Sequence, residues 1–268
     1  MRQIRSRDNT TLKRLRALAR ESQTRHREQR TLIEGEHLCR AWLDARRTPV
    51  RAVIADDGWH GAGFDACLQR LAALDVELVE IPADWMKDLS ASDTPPRLVC
   101  EVAIEVPAVD DAADASACDV VLLDAVQDPG NAGAILRTAA AAGVTRVVAG
   151  NGTATLWSPK VLRAAMGAHV ALDIVEGVDL AGWIEASPLH SIGMAIDGAQ
   201  ELLALDLRRP LAWAFGNEGN GLQATTLAAV ASRVRIDQAA AVESLNVAAA
   251  AAVCLFEMRR QRRQTTRS

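Results

Sequence analysis

The chain has 268 residues, of which 49% are hydrophobic, and a formal net charge of −4 at pH 7. This length allows two domains, or one large domain with a substantial core. No uninterrupted apolar run reaches the roughly 18 residues that span a bilayer, and the basic N-terminus leads into a polar segment rather than an apolar signal core. These features predict a cytoplasmic protein without membrane-spanning helices.

The first predicted element is an amphipathic basic helix from Asn9 to about Arg27, with Leu12, Leu15 and Leu18 at helical spacing. Residues 1–30 carry ten Arg or Lys against three acids, a balance that suits a polyanionic partner. Strands and helices then alternate, with strands predicted at 31–35, 50–55, 76–81 and 98–106 and helices at 36–45, 64–74 and 84–89. This alternation indicates a small α/β domain over residues 1–106.

An acidic, alanine-rich stretch at residues 107–118 lacks apolar periodicity, so we interpret it as a linker. A second α/β pattern follows over residues 119–268. Its predicted strands are 120–124, 146–149, 172–175, 191–196, 211–215 and 233–236, and its predicted helices are 133–142, 159–166 and 245–260. Strands without polar alternation, such as 120–123, are typical of a parallel sheet between layers of helices.

The five cysteines are scattered along the chain without any Cys-x-x-Cys pair: Cys39, Cys67, Cys100, Cys118 and Cys254. An odd, unclustered set argues against a disulfide framework and against a zinc site. We therefore expect mostly buried, unreactive thiols and no metal.

Three separated segments each combine Gly, Asn or Ser with a charged residue beside an apolar strand, at residues 128–138, 215–222 and 242–248. The first opens a helix at a Pro-Gly turn, where backbone N–H groups can contact a ligand, and Arg137 is predicted to point back towards that turn. In the second, three glycines within six residues permit close backbone approach to a ligand. There, Glu218 is expected to accept hydrogen bonds from a hydroxyl or amine.

Each segment alone also has a plain structural explanation: a strand–helix connection, a flexible turn, and a helix cap made by Ser244 or Asn246. Neither a dinucleotide fingerprint nor a P-loop is present. The three segments together, however, resemble the motifs of the SpoU (TrmH-like) branch of the SPOUT RNA methyltransferases. The matching patterns are Asn-x-Gly-x-Ile-x-Arg-Thr from Asn131, Phe-Gly-Asn-Glu-Gly-x-Gly-Leu from Phe215, and Glu-Ser-Leu-Asn-Val-Ala from Glu243.

The N-terminal part is similar to the L30e-like substrate-binding domain of the same family, through residues 6–9, Lys13 and residues 32–36. The resemblance implies an α/β protein whose second domain is a trefoil-knotted SPOUT methyltransferase domain with a parallel sheet, one of the rare knotted folds. It further implies a homodimer that binds S-adenosylmethionine and methylates a ribose 2′-hydroxyl in RNA, with no DNA or membrane partner.

The resemblance also assigns residues to roles. The implied catalytic residues are Asn131, Arg137, Glu218, Ser244 and Asn246. The implied cofactor-binding residues are Gly216, Asn217, Gly221, Ile236 and Leu245. The RNA-binding candidates are Arg5, Arg7, Lys13 and Arg14. Arg137 would serve either as the base or as a phosphate clamp that stabilises negative charge, and the sequence leaves both roles open.

One segment departs from the family pattern, because residues 236–240 read Ile-Asp-Gln-Ala-Ala where Ile-Pro-Met-x-Gly is typical. We expect this change to alter the loop on the cofactor side of the site. Ribosomal RNA is the favoured substrate, and tRNA is the alternative within the class. From other classes, the alternatives are a non-catalytic RNA-binding or ribosome-assembly factor and a metabolic α/β enzyme.

Overall fold

The structure, a computed structural model, describes residues 1–90, 92, 94–105, 118–197, 200–239 and 244–265. The chain divides into two compact units, one made of Met1–Glu105 with Trp157–Val170 and the other of Val106–Leu156 with Ala171–Ser268. Residues 157–170, which the sequence predicts as part of the second domain, belong to the first unit by their contacts. The predicted linker, residues 107–118, falls outside the described residues except for Cys118.

The first unit is built on a mixed five-stranded sheet. Its elements are β1 (Arg2–Gln3), α1 (Thr10–Arg20), α2 (Ser22–Glu28), β2 (Arg30–Glu34), α3 (Gly35–Asp44), β3 (Arg51–Ala55), α4 (Ala62–Ala73), β4 (Glu77–Ile81), a 3-10 helix (Ala83–Asp88), β5 (Leu98–Ala103) and α6 (Pro159–Ala165). The strand order is β1-β4-β3-β5-β2, with β5 antiparallel to both of its neighbours. Helix α1 covers the core of this unit through its three predicted leucines, which are fully buried.

The single basic helix predicted from Asn9 to Arg27 is two helices. The side chain of Asn9 caps α1 by accepting a hydrogen bond from the N–H of Thr11 at 2.9 Å. The helix stops after Arg20 because Glu21 is extended, with φ −109° and ψ 116°. The chain then folds back, and the buried guanidinium of Arg25 donates to the carbonyl of Leu18 at 2.8 Å. This bond satisfies one of the carbonyl groups that the end of α1 leaves open.

The second unit contains a seven-stranded sheet in which every strand pair is parallel. Its elements are β6 (Val120–Asp124), α5 (Pro129–Ala142), β7 (Arg146–Gly150), β8 (Asp173–Val178), α7 (Leu180–Ala186), β9 (His190–Met194), β10 (Gln200–Glu201), β11 (Leu211–Gly216), α8 (Ala224–Ala229), β12 (Ser232–Arg235) and α9 (Val247–Thr265). The strand order is β10-β12-β9-β11-β6-β7-β8, so the predicted parallel sheet is confirmed. Helices α7 and α8 were not predicted from the sequence, and they are only seven and six residues long.

The register of the central strands determines where the loops emerge. Strands β6 and β11 are hydrogen-bonded neighbours, and Asp124 at the end of β6 pairs with Gly216 at the end of β11. The first and second polar segments therefore leave the same edge of the sheet side by side. In open parallel sheets, this carboxyl edge is where ligands bind.

Four of the five cysteines are buried, as predicted, and Cys118 is partly exposed. Within the described residues, no helix combines the length and the apolar character that crossing a bilayer requires.

Candidate active site

Glu218 joins the second polar segment to the first. Its carboxylate accepts hydrogen bonds from the backbone N–H groups of Gln127 at 3.2 Å and Asp128 at 3.1 Å. The side-chain amide of Asn131 donates to the same carboxylate at 3.0 Å. The sequence predicts that Glu218 accepts hydrogen bonds from a hydroxyl or amine. In the structure its donors are these two backbone N–H groups and the side-chain amide of Asn131, so the carboxylate holds the loop that precedes α5.

Asn131 extends this connection to the third segment. Its side-chain oxygen accepts a hydrogen bond from the amide of Asn246 at 2.9 Å. The oxygen of Asn246 in turn accepts from the N–H groups of Ala248 at 2.9 Å and Ala249 at 3.3 Å, and so caps α9. Asn246, Asn131 and Glu218 thus form a continuous relay, and one residue comes from each of the three segments. Val242 and Glu243 lie outside the described residues.

The hydrogen bonds of the relay set the charge state of Glu218. Burial alone would raise the pKa of this carboxyl, but the bonds from Asn131 and from nearby backbone N–H groups outweigh it. The pKa of Glu218 therefore lies below its ordinary value. The side chain is an anion at neutral pH, and its lone pairs already have donors. It is consequently suited to positioning the first loop rather than to taking up a proton.

This depressed pKa predicts a pH-dependent stability. Because the folded-state pKa is below the unfolded value of about 4.3, the carboxylate stabilises the fold above that value. Its contribution is lost as the pH falls through the folded pKa. We expect urea unfolding to show wild type more stable than Glu218→Gln at about pH 6, with the difference shrinking below about pH 4.

The matched control for this measurement is Glu185→Gln. Glu185 is an exposed carboxylate on α7 that makes no hydrogen bond or ion pair with any described residue. A difference that does not depend on pH, or an equal pH dependence in the Glu185→Gln protein, would contradict the structural role of Glu218.

The second segment is a tight reversal that only glycine permits at its start. Asn217 and Gly221 exchange two backbone hydrogen bonds, both of 2.9 Å, and Gly221 has a φ of +70°. A Cβ on Gly216 would lie 2.2 Å from the carbonyl carbon of Gly221 and 2.3 Å from the nitrogen of Leu222. The side chain of Asn217 holds the reversal, donating to the carbonyl of Ala125 at 2.9 Å.

A cavity of about 430 Å³ opens beside this reversal, within the second unit. Its lining includes all five predicted cofactor residues, Gly216, Asn217, Gly221, Ile236 and Leu245, together with Ser244 and Glu218. The volume is in the range of small-molecule sites. The bare backbone at Gly216 and Gly221 allows a ligand to approach closely. The residues present therefore fit a nucleoside-sized cofactor.

Several lining residues were not predicted. Four of them lie at the end of β9 and directly after it, namely Met194, Ala195, Ile196 and Asp197. Arg235 ends β12, and Gln238 belongs to the segment after it. Both strands lie in the half of the sheet beyond β11. The signal that could have identified them is positional, because they extend the same carboxyl edge as the two glycine-bearing loops. Ala240, the last residue of the departure from the family pattern, lies outside the described residues.

Arg137 stands apart from this arrangement. Helix α5 begins at Pro129 rather than at the predicted residue 133, with Asp128 as its N-cap. Arg137 therefore lies more than two turns into the helix, about 12 Å along its axis, and so is further from the first loop than the predicted helix start implied. It is exposed, is not among the cavity-lining residues, and makes no hydrogen bond or ion pair with any residue that the structure describes.

All four RNA-binding candidates pair with carboxylates of their own unit. Arg5 contacts Asp56 and Glu80, Arg7 contacts Asp88, and Lys13 contacts Asp8. Arg14 bridges Glu28 at 2.6 Å and the nearly inaccessible Glu101 at 2.8 Å. The high positive charge of residues 1–30 is thus partly neutralised by acids elsewhere in the unit, and Arg14 has a structural role.

Arg14→Met should lower the free energy of unfolding by about 1–3 kcal/mol, because it removes a partner from the buried carboxylate of Glu101. Lys13→Met is the matched control, since the one ion pair of Lys13 among the described residues is with the exposed side chain of Asp8, which is 89% accessible. Urea unfolding of the two variants tests this. Equal stability of the Arg14→Met and Lys13→Met proteins would show that Arg14 is not structural.

Comparison with known proteins identifies relatives of both units. Residues 119–256 match the model of the SpoU rRNA methylase family, and residues 9–100 match that of the MRM3-like substrate binding domain. The chain is 30% identical over 233 residues to the 23S rRNA (guanosine(2553)-2′-O)-methyltransferase RlmP of Bacillus subtilis, covering 85% of this chain and 88% of that one. It is 38% identical to the 23S rRNA (guanosine-2′-O-)-methyltransferase RlmB of Pseudomonas putida, over 53% of this chain and 59% of that relative.

A solved structure, the AdoMet-bound rRNA methyltransferase from Sinorhizobium meliloti, superposes with a TM-score of 0.82 at 26% identity and covers 97% of each chain. Fold, site and relatives place the protein in the class of RNA methylases. The chain belongs to the SpoU rRNA methylase family.

Proposed function

We propose that this protein transfers a methyl group from S-adenosylmethionine to the 2′-hydroxyl of a ribose in ribosomal RNA. The observation that carries the proposal is the relay of Asn246, Asn131 and Glu218. It locks the three motif segments together beside a cavity that all five cofactor candidates line. Ribosomal RNA as the substrate is supported by two relatives that are named as 23S rRNA methyltransferases. S-adenosylmethionine as the cofactor is supported by the AdoMet-bound structure.

The cofactor supplies an electrophilic methyl group on a positively charged sulfur. A ribose hydroxyl is a weak nucleophile, so the protein has to hold it in line with that methyl group and assist loss of its proton. We assign Gly216, Asn217, Gly221, Ile236 and Leu245 to holding the cofactor. Ser244, which lines the same cavity, is assigned to orienting the ribose.

Arg137 is assigned to contacting the RNA substrate. A guanidinium stays protonated in proteins, and this one has no carboxylate partner among the described residues. We assign it to clamping a phosphate and stabilising the negative charge that develops on the ribose oxygen. Asn131, Glu218 and Asn246 are assigned to positioning the loop before α5. Helix α5 carries Arg137.

A homodimer would complete the site. Arg137 does not line the cavity of its own chain, and this supports its presentation there by a second copy. The exposed apolar side chains of Val253 and Phe256 on α9, 43% and 49% accessible, support such an interface. From the family resemblance we also propose a trefoil knot in a methyltransferase domain of residues 119–268, an L30e-like RNA-binding domain of residues 1–106, and a cytoplasmic location.

Mapping of 2′-O-methyl groups in ribosomal RNA and tRNA from a deletion strain and its parent tests the proposal. We expect one ribosomal site to lose its methyl group and to regain it when the wild-type gene is returned, but not when the Arg137→Ala gene is. Loss of a tRNA methyl group instead would redirect the assignment to tRNA. If every site is retained while calorimetry shows no binding of S-adenosylmethionine, the protein is a non-catalytic RNA-binding factor.

A further inference from the structure

Asp124 is a buried acid to which none of the roles above has been assigned. It ends β6 and is 1% accessible. One of its carboxylate oxygens accepts a hydrogen bond from the backbone N–H of Gln223 at 2.7 Å, and the other accepts from the side-chain amide of Gln223 at 2.8 Å. Hydrogen bonds to a carboxylate are stronger than those between neutral groups. The two bonds together fix both the position and the orientation of Gln223.

Asp124 holds the second polar segment at both of its ends. The backbone of Asp124 pairs with that of Gly216, where the segment leaves β11. Its side chain binds Gln223, which comes directly after the segment and before α8. Residues 215–222, which form the segment, all line the cavity. Because both ends of this loop meet at one residue, the contact with Gln223 closes the loop against β6.

Leu222 links the position of Gln223 to the shape of the cavity. It directly precedes Gln223, is 9% accessible and lines the cavity. Its side chain lies over the bare backbone of Gly193 on β9, where an added Cβ would come within 2.7 Å of the Cδ1 atom of Leu222. Such close packing holds only while the backbone of Leu222 stays in place. Release of Gln223 from Asp124 therefore shifts this wall of the cavity.

We propose that Asp124 is a positioning residue for methyl transfer, which closes the second segment through Gln223 and so sets the affinity for the cofactor. This inference rests on the proposed function, since it requires S-adenosylmethionine in the cavity. Asp124 is not among the lining residues, so it acts through the loop and not on the cofactor directly. Its effect should fall on cofactor binding, whereas the rate of transfer at saturating cofactor should be kept.

Exchanging the polarity of the pair tests the proposal. Gln223→Glu sets one carboxylate against another, and this repulsion opens the loop. Titration calorimetry of the full-length protein with S-adenosylhomocysteine should show an affinity about tenfold or more below that of wild type, the effect of losing a hydrogen bond to a charged group. The double variant Asp124→Asn, Gln223→Glu should restore the affinity. Its asparagine amide donates to the glutamate, while the asparagine oxygen still accepts from the backbone N–H.

Thr225→Glu is the matched control, because it adds the same charge at an exposed position of α8. Its affinity should equal that of wild type. Steady-state methyl transfer to ribosomal RNA from the deletion strain distinguishes positioning from a purely structural role. Gln223→Glu should raise the KM for S-adenosylmethionine and leave kcat close to that of wild type. Gln223→Ala removes one donor without adding a charge, and it provides the same comparison if Gln223→Glu does not fold.

Wild-type affinity in the Gln223→Glu protein would overturn the role of Asp124 and leave the proposed function standing. So would a double variant that binds as weakly as Gln223→Glu. Failure of wild type to bind S-adenosylhomocysteine at millimolar concentration would overturn both.

Discussion

Replacing Arg137 with alanine should reduce methyl transfer by at least about 10²-fold, the usual effect of removing a charged group that stabilises a transition state. Affinity for S-adenosylhomocysteine should remain close to that of wild type. Arg137 does not line the cavity, and no described residue depends on it for a hydrogen bond or ion pair. Single-turnover transfer of a labelled methyl group to ribosomal RNA and titration calorimetry measure the two quantities separately.

The matched control for Arg137→Ala is Arg208→Ala. Arg208 is another exposed arginine of the second unit, and among the described residues its side chain forms hydrogen bonds with Asp206 alone. It should keep wild-type turnover. Arg137→Lys tests whether the shape of the guanidinium matters, because lysine retains the charge but lacks the planar group that binds phosphate through two nitrogens. Wild-type turnover in Arg137→Ala would refute the catalytic assignment.

Replacing Gly216 with alanine should abolish cofactor binding and destabilise the second unit. The added Cβ would lie 2.2–2.4 Å from three backbone atoms of Gly221 and Leu222, and backbone cannot move aside as the end of a flexible side chain can. Relieving the clash requires breaking the paired hydrogen bonds between Asn217 and Gly221, which shape the cavity wall. The expected loss of stability is about 1–3 kcal/mol or more, measurable by urea unfolding.

Gly219→Ala provides the control from the same loop. A Cβ on Gly219 would meet only the side-chain oxygen of Asn217, at an ordinary 3.6 Å. The unfolding midpoint of this variant should match that of wild type. If Gly216→Ala unfolds at the same urea concentration as Gly219→Ala, the reversal does not require glycine at its start.

The sequence predicts those residues of the site that a short local pattern marks. The glycines at 216 and 221 mark a backbone that approaches itself closely, and that signal is contained within six residues. The partner of Glu218 could not be predicted, because its contact with Asn131 crosses 87 positions. That contact depends on β6 and β11 being adjacent strands with ends in register. Strand order in a parallel sheet is a global property that no local window contains.

The same limit applies to the N-terminal charge. Counting Arg and Lys over residues 1–30 gives a strongly basic segment, but several of the acids that pair with it are distant in sequence. Glu101 lies 87 positions from Arg14, and Asp88 lies 72 from Arg16. The break in the helix at Glu21 could not be predicted either. The leucines of α1 are followed by a polar stretch, and in a polar stretch the spacing of apolar residues does not show where a helix ends.

The relay of Asn246, Asn131 and Glu218 bears on how the protein is made in the cell. Asn246 lies 115 positions after Asn131, which it contacts directly. During translation, the strands β6 and β11 and the loop of Glu218 leave the ribosome well before the residue that ties them to α9. A nascent chain that has emerged only as far as α8 lacks Ser244, Leu245 and the α9 residues of the cavity wall. Cofactor capture should therefore begin only after synthesis has passed the start of α9, so a growing chain is not yet able to modify the ribosomal RNA around it.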